Sequence, residues 1–488
     1  MKKKFILVII QLILVLIVSC GNSADPGEAI TSVTGEDIAA DTQIEAEETT
    51  AYVEPDIEAV DYEGYEFKFL VPKTDDMNII INEITADSIT GDIINDAVYE
   101  RNSKVEEKYN IVIKGITGGW GDIAKSVMAG DNAFDVATPG VVEAFKNGVN
   151  GNLAAIQDIP YIDYEKPWWR TNSITDASVS HKNFFLVSDI NMLSYDSTAV
   201  MFFNKYLVEQ YSLEDPYDMV ITGAWTFDNM IKTGKSISSD LNGDGIYGEE
   251  DIYGMACNSY GALTYTYGSG VLFTEKDNND VPSLSINERF LTHFQNVVNL
   301  CYNDVSVLFS ERFTSNNGRI RVPQTAFEEN RLLFYNEMLN RTSLLRSMET
   351  DFGILPMPKQ DESQENYYTF VHQGNSTTIS VLLTADLDRA GRILEDMAFL
   401  SYLYIRPAYV DISLKTKFAR DERSVDMLDI IMNNTRYDIA LISGHALVND
   451  LRTLLMNGNE NIASEMASKE SAYITSLEQT IDKIVNPQ

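Results

Sequence analysis

The segment from Asp240 to Asp251 has the sequence DLNGDGIYGEED and carries oxygen donors at the spacing of a calcium-binding loop. The predicted ligands, at loop positions 1, 3, 5, 7 and 12, are Asp240, Asn242, Asp244, the carbonyl oxygen of Ile246, and Asp251. Gly245 stands at position 6, where the loop must bend sharply so that these oxygens converge on one Ca²⁺ ion. The pattern predicts a structural Ca²⁺ site; the alternative is a polar turn that binds no ion.

The other residues that could do chemistry form no catalytic pattern. His181, His293, His372 and His445 show neither His-x-x-x-His nor Glu-x-x-His spacing, and the chain has no Gly-x-Ser-x-Gly turn or phosphate-binding glycine loop. The many carboxylates leave a glycosidase pair open, because spacing in the sequence alone does not exclude one. The residues therefore favour a protein that is not an enzyme.

Composition bounds the kind of protein and its partners. The chain has 488 residues, of which 44% are hydrophobic, so it can bury a large core in two lobes or domains. Its 37 basic and 73 acidic residues give a formal net charge of −36, which repels phosphate backbones and anionic lipid headgroups. We therefore expect no nucleic-acid partner.

The N-terminus predicts export and lipid anchoring. Three lysines precede an apolar run from Phe5 to Val18, which is shorter than the roughly 20 residues that span a bilayer. The run ends in Ile17-Val-Ser-Cys20, which resembles a bacterial lipobox, so residues 1–20 are predicted to be a lipoprotein signal peptide and Cys20 the lipidated residue. The alternative is an ordinary signal peptide that is cleaved elsewhere. The expected location is the extracellular face of the cell membrane.

Residues 21–60 are rich in Glu, Asp, Thr, Ala and Ser and contain no Lys or Arg. Such a segment cannot bury enough apolar surface to offset its ordering entropy, and its charges repel one another. The sequence predicts a disordered acidic linker that holds the folded part away from the membrane.

The folded part begins with alternating strand and helix patterns. Residues 65–71 alternate as a strand does, residues 94–109 carry apolar side chains at helical spacing, and residues 111–113 form a second apolar run. A helix near 123–128 and a strand at 134–137 follow. This order is typical of a parallel sheet with helices packed on its faces. Further strands are predicted at 184–187, 199–203, 332–334, 352–355 and 378–382, and further helices at 227–237, 389–404, 424–432 and 463–484.

Four local phrases, in this order, resemble the extracellular solute-binding proteins of ABC importers, in the family that includes maltose-binding protein. The phrases are Gly130-Asp-Asn-Ala-Phe-Asp135, Phe202-Phe-Asn-Lys205, Gly223-Ala-Trp-Thr-Phe-Asp228 and Phe352-Gly-Ile-Leu-Pro-Met-Pro358. The resemblance covers nearly the whole chain from Tyr65 onward. The middle segment is longer than in the best-known sugar binders, which leaves the identity of the ligand open.

The resemblance implies an α/β, two-lobed periplasmic-binding-protein-like fold of type II. Each lobe would be a mainly parallel sheet flanked by helices, with a hinge between the lobes. The implied first lobe comprises residues 61–195 and 360–405, and the second comprises 196–359 and 406–488. Chain crossings are expected at 191–196, 357–364 and 405–409. Closure about such a hinge converts ligand binding into a change of shape.

The resemblance also places a ligand between the lobes, where aromatic rings would stack on sugar faces and polar side chains would bind hydroxyl groups. The predicted ligand-binding residues are Asn191, Tyr260, Tyr265, Tyr267, Tyr335, Glu337, His372, Gln373 and Trp169. For each of them, core packing or a surface loop is the alternative, and a packing role is favoured for Trp169.

We therefore predict a monomeric, lipid-anchored solute-binding protein that delivers a small molecule, a sugar or oligosaccharide, to the permease subunits of an ABC transporter. The alternatives are a secreted carbohydrate-active enzyme and a surface adhesion or sensor protein on the same fold. Cys257 and Cys301 remain in the mature chain, 44 positions apart, and the sequence leaves open whether they pair.

Overall fold

The structure is a computed structural model and describes residues 53–72, 84–313, 318–345, 347–372, 376–412, 423–444 and 446–486. The described residues from Glu54 onward belong to one compact unit, which contains the folded part. The predicted signal peptide, Cys20 and Gln373 lie outside the described residues. Within the described ranges, no helix is long and apolar enough to cross a membrane.

The strands are short, and most are buried. They are β1 (Tyr65–Pro72), β2 (Ile111–Gly118), β3 (Val136–Ala137), β4 (Ala199–Asn204), β5 (Tyr253–Cys257), β6 (Thr274–Lys276), β7 (Pro282–Leu284), β8 (Val307–Phe309), β9 (Leu332–Met338), β10 (Phe352–Leu355), β11 (Thr369–Phe370), β12 (Ser380–Val381) and β13 (Thr435–Arg436).

The helices pack around these strands. They are α1 (Ile93–Tyr109), α2 (Gly121–Ala129), α3 (Val141–Val149), α4 (Thr171–Ala177), α5 (Leu193–Asp196), α6 (Lys205–Gln210), α7 (Pro216–Thr222), α8 (Phe227–Ile237), α9 (Gly261–Gly268), α10 (Glu288–Val298), α11 (Gly318–Glu328), α12 (Thr342–Leu345), α13 (Leu387–Ile412), α14 (Arg423–Asn433), α15 (Ile439–Ile442), α16 (Ala446–Met456) and α17 (Ile462–Val485).

The first lobe is built on a four-stranded sheet in the order β12-β3-β1-β2. β1 pairs in parallel with β2 and β3, whereas β12 runs antiparallel to β3. Phe67 and Phe69 on β1 are fully buried, and α1 packs along α13. The sheet is therefore mainly parallel, as the strand-helix-strand order predicted.

The second lobe is built on a five-stranded sheet in the order β10-β4-β9-β5-β8. β5 pairs in parallel with β8 and β9, but β4 runs antiparallel to both β9 and β10. This sheet is mixed, not mainly parallel, because β4 enters from the first lobe against the direction of its neighbours. The two-lobed α/β fold is confirmed.

The segments that follow the first two predicted crossings lie side by side in the structure. Thr198 and Val371 form an antiparallel bridge, and the backbone N–H of His372 donates to the carbonyl oxygen of Ser197 over 2.7 Å. The third predicted crossing, at residues 405–409, lies inside the continuous helix α13, although that helix contains Pro407. The predicted lobe boundaries themselves stay a prediction.

Candidate functional site

A cavity of about 510 Å³ opens between elements of the two lobes. Its lining residues are Trp120, Gly140, Val142, Glu143, Tyr260, His372 and Arg452. The first four come from the turn before α2 and the start of α3 in the first lobe, whereas Tyr260 and Arg452 come from the second lobe. His372 lies beside the crossings. The cavity therefore brings together residues from both lobes and the hinge.

Tyr260 is at the centre of one wall. Its ring centroid lies 4.6 Å from that of His372 and 5.6 Å from that of Phe370. The guanidinium carbon of Arg452 lies 5.3 Å from the same centroid, in a cation–π contact. The side-chain oxygen of Asn258 accepts the backbone N–H of Tyr260 over 2.9 Å, which fixes the turn that leads into α9. Arg452 over its face and the neighbouring rings of His372 and Phe370 hold the Tyr260 ring in place.

His372 contributes a neutral ring to the cavity. Burial lowers the pKa of its imidazole, and the nearby Arg452 and Arg341 guanidinium groups lower it further. The ring is therefore uncharged at neutral pH, where it can both donate and accept a hydrogen bond.

The opposite wall is formed by Trp120 and the first turn of α3. Trp120 is half-buried and directly precedes α2. Glu143 points its carboxylate toward Lys146, one turn further along α3, with Oε1 and Nζ 3.4 Å apart. An indole face, a phenol ring, an imidazole, a carboxylate and a guanidinium thus surround one space. Flat apolar faces combined with forked polar groups can bind the C–H faces and hydroxyl groups of a sugar.

Three predicted ligand-binding tyrosines are buried and do not line this cavity, so a ligand-binding role for them stays a prediction. Tyr265 and Tyr267 are fully buried, where they pack on Phe227 and Phe273 with ring centroids 5.6 and 4.9 Å apart. Tyr335 on β9 is also in the core. Helix α9 is buried on every side, so its tyrosines serve the core of the second lobe and only Tyr260, which precedes it, lines the cavity.

Glu337 and Asn191 also lie away from the residues that line the cavity. Burial raises the pKa of the Glu337 carboxyl, whose Oε2 lies 3.6 Å from Nε of Arg341. The side-chain oxygen of Asn191 accepts the backbone N–H of Leu193 over 2.9 Å and so caps the start of α5. In both cases the side chain satisfies a partner within its own chain, and a ligand-binding role for it stays a prediction.

Trp169 packs in the core of the first lobe and does not line the cavity, so a ligand-binding role for it stays a prediction. Trp168 and Trp169 are both buried, and their indole N–H groups donate to the two oxygens of Glu395 over 2.9 and 2.8 Å. Burial raises the pKa of the Glu395 carboxyl to about 7, although the two indole hydrogen bonds oppose this shift. The pair of tryptophans ties the segment before α4 to helix α13.

Of the predicted ligand-binding residues that the structure describes, Tyr260 and His372 line the cavity. Sequence reasoning missed Trp120, Glu143 and Arg452. Trp120 has a usable signal, since it stands between glycines in Gly118-Gly-Trp-Gly121 at the end of β2, where open sheets bind ligands. Glu143 and Arg452 lie on amphipathic helices and resemble ordinary surface charges.

The predicted calcium loop folds around its own backbone amides. Asp240 accepts the N–H groups of Gly243 and Gly245, each over 2.7 Å, and Asp244 accepts that of Ile246 over 2.7 Å. These bonds form the tight bend that the spacing predicted, and the carboxylates of Asp240 and Asp244 lie on the exposed side of the chain.

Asp251, the last predicted Ca²⁺ ligand of this loop, points into the protein interior instead. Asp251 is fully buried, and its two oxygens accept the N–H groups of Leu241 and Gly248 over 2.8 and 2.7 Å. Among the described residues, no three His, Cys, Asp or Glu side chains are grouped as metal ligands would be. The Ca²⁺ site stays a prediction.

Comparisons with known proteins identify the fold. No protein-family model matches the sequence, and no curated protein matches it. Solved structures with the same fold include a cyclo/maltodextrin-binding protein complexed with maltotetraose, with a TM-score of 0.55 and 10% identity over 88% of this chain and 99% of that one. The sugar-binding protein MalE from Xanthomonas citri matches with a TM-score of 0.56 and 14% identity, over 86% of this chain and 97% of that one. An extracellular solute-binding protein from Staphylococcus aureus in complex with maltose matches with a TM-score of 0.56 and 11% identity, over 86% of this chain and 99% of that one.

The chain therefore has the two-lobed fold of extracellular solute-binding proteins, as its four sequence phrases implied. The match extends over nearly the full length of each of these proteins.

Proposed function

We propose that this protein is a solute-binding protein that captures an extracellular saccharide in the cavity around Tyr260. The observation that carries the proposal is the position of Tyr260: its ring, flanked by His372 and Arg452, faces a cavity whose other wall holds Trp120 and Glu143. Stacking surfaces and hydrogen-bonding groups from both lobes meet there. The solved sugar-binding proteins of the same fold, described above as complexes with maltose and maltotetraose, support a carbohydrate ligand.

We further propose that the bound saccharide is delivered to the permease subunits of an ABC transporter by a monomer tethered to the outer face of the membrane through Cys20. The lipobox-like Ile17-Val-Ser-Cys20 and the acidic segment after it support the tether. Delivery requires that the ligand bind the closed arrangement of the lobes preferentially, since otherwise the permease could not distinguish loaded from empty protein.

The experiment is a thermal-shift screen of the mature protein against sugars, oligosaccharides, peptides and polyamines. A ligand at 100 times its Kd should stabilise the protein by about 2.7 kcal/mol. A saturable, one-to-one shift with saccharides and no product supports the proposal. Turnover of a glycan would instead show the carbohydrate-active enzyme, and a shift with peptides alone would contradict a saccharide ligand.

A further inference from the structure

Arg452 lines the cavity and has no acidic partner among the residues that the structure describes. It projects from α16, and its guanidinium rests against the Tyr260 ring. Among the residues that the structure describes, no carboxylate lies within ion-pair distance of it, and its buried Nε has no hydrogen-bond partner. Two other half-buried arginines are paired with carboxylates: Arg170 with Asp189 at 2.8 Å and Arg436 with Asp176 at 2.7 Å. In a chain with 73 acidic and 37 basic residues, an unpaired guanidinium inside a cleft is unexpected.

The neighbouring charges do not neutralise Arg452. Glu143, which also lines the cavity, lies beside Lys146, so a base of its own helix already compensates it. Arg341 also lies near His372, but Glu337 pairs with it at 3.6 Å. Both guanidinium groups lower the pKa of His372, which is the effect expected of a positive potential at that ring. The part of the cavity around Arg452 and His372 therefore has a positive electrostatic potential.

We propose that the ligand of this cavity is an anionic saccharide, a uronate-containing oligosaccharide, whose carboxylate pairs with Arg452. This inference rests on the proposed function, since it assumes that a saccharide binds in the cavity. A guanidinium presents a planar fork of N–H donors that matches the two oxygens of a carboxylate. Tyr260 holds that fork from one side, so little side-chain freedom is lost when the ligand binds. Trp120 and Tyr260 then offer ring faces to the sugar.

The negative net charge of the chain does not prevent an acidic saccharide from staying bound once it is in the cavity. At physiological ionic strength, charges more than about 8 Å apart are largely screened by salt, so the acidic surface acts on the rate of approach more than on the bound state. A partly desolvated ion pair is screened much less. The local positive charge at Arg452 therefore decides which saccharide is retained.

The test compares acidic saccharides with neutral partners of the same size by isothermal titration calorimetry. The pairs are trigalacturonate with its methyl ester and trimannuronate with mannotriose. We expect at least one acidic member to bind tenfold or more tightly than its neutral partner, and this preference to weaken as salt increases. If the neutral members bind as tightly, the inference is overturned and the proposed function stands. If no saccharide of either kind binds, both fail.

Variants of Arg452 separate the ion pair from general damage to the cleft. Arg452→Gln should lower the affinity for the acidic member by a larger factor than the affinity for the neutral member, whereas Arg452→Lys should keep part of the preference. Lys104→Gln removes one positive charge from the exposed face of α1 and should change neither affinity. An equal loss for acidic and neutral saccharides in Arg452→Gln would overturn the proposed pairing, and the melting temperature of each variant checks that it is folded.

Discussion

The Sγ atoms of Cys257 and Cys301 lie 2.7 Å apart in the core of the second lobe. Cys257 ends strand β5, and Cys301 lies in the π-helical turn Asn299–Asn303 that follows α10. Both thiols are buried, and burial raises the pKa of Cys257. The fold therefore brings together two residues that the sequence places 44 positions apart, and it keeps them from solvent.

From this contact we predict that protein folded with a small-molecule disulfide such as glutathione disulfide contains a Cys257–Cys301 bond. The two thiols would lose two hydrogens to the glutathione disulfide, which would leave as two thiols. Intact mass should fall by two hydrogen atoms, and reduction should lower the free energy of unfolding by about 2–4 kcal/mol. A Cys257→Ala, Cys301→Ala double variant is the control, since reductant should not change its stability. Two thiols that react with maleimide in the unreduced, denatured protein would contradict the prediction.

Glu395 should make stability depend on pH. Its pKa is about 7 in the folded protein, against an ordinary value near 4.5. Between these values the unfolded chain loses its proton first, so the free energy of unfolding falls as pH rises from about 4.5 to 7, by on the order of 2–3 kcal/mol. Urea unfolding at pH 5 and pH 7.5 measures this change.

Glu395→Gln should flatten that pH profile, because the amide does not titrate while its oxygen can still accept an indole N–H. The exposed Glu107→Gln is the matched control and should keep the slope of the natural protein. Asp438, whose pKa burial raises to about 6, adds a similar fall at lower pH, so the comparison is made between variants and not on absolute values. An unchanged slope in Glu395→Gln would show that this carboxyl is not the titrating group.

The loop Asp240–Asp251 should bind Ca²⁺. Removal of the ion should therefore lower the melting temperature of the protein. A site filled at ten times its Kd contributes about 1.4 kcal/mol. Differential scanning calorimetry with excess Ca²⁺, and then with EDTA, measures the difference. Asp240→Asn combined with Asp244→Asn should remove the response to Ca²⁺. An identical melt in Ca²⁺ and EDTA for the unaltered protein would refute the site.

Tyr260 should contribute to saccharide affinity through its ring. We expect Tyr260→Ala to weaken binding of any saccharide found in the screen by about tenfold, corresponding to about 1.4 kcal/mol. Tyr260→Phe keeps the ring and should retain most of the affinity. Tyr267→Phe, a change in the core seven residues away, should leave affinity unchanged. Equal affinity of Tyr260→Ala and the unaltered protein would show that the ring does not stack on the ligand.

The sequence by itself determined those helices and strands whose local sequence pattern agrees with their packing in the folded protein. The predicted helix at 227–237 has those bounds in the structure, because the Thr226 side chain caps its start and apolar residues recur at helical spacing. The predicted strand at 352–355 is also observed. The strand predicted at 184–187 forms only an isolated bridge, Leu186 to Ile379, since the backbone N–H groups of Phe184 and Phe185 donate to the Asn183 side chain.

Only the tertiary structure decided which side chains form the cavity. The aromatic run from Tyr260 to Tyr267 has no polar face, because α9 is buried all around, so periodicity could not show which ring faces the ligand. Trp120, Glu143, Tyr260 and Arg452 are separated by tens to hundreds of residues and meet only when two sheets and their helices are packed. Local pattern sets the elements, but the packing of distant elements creates the site.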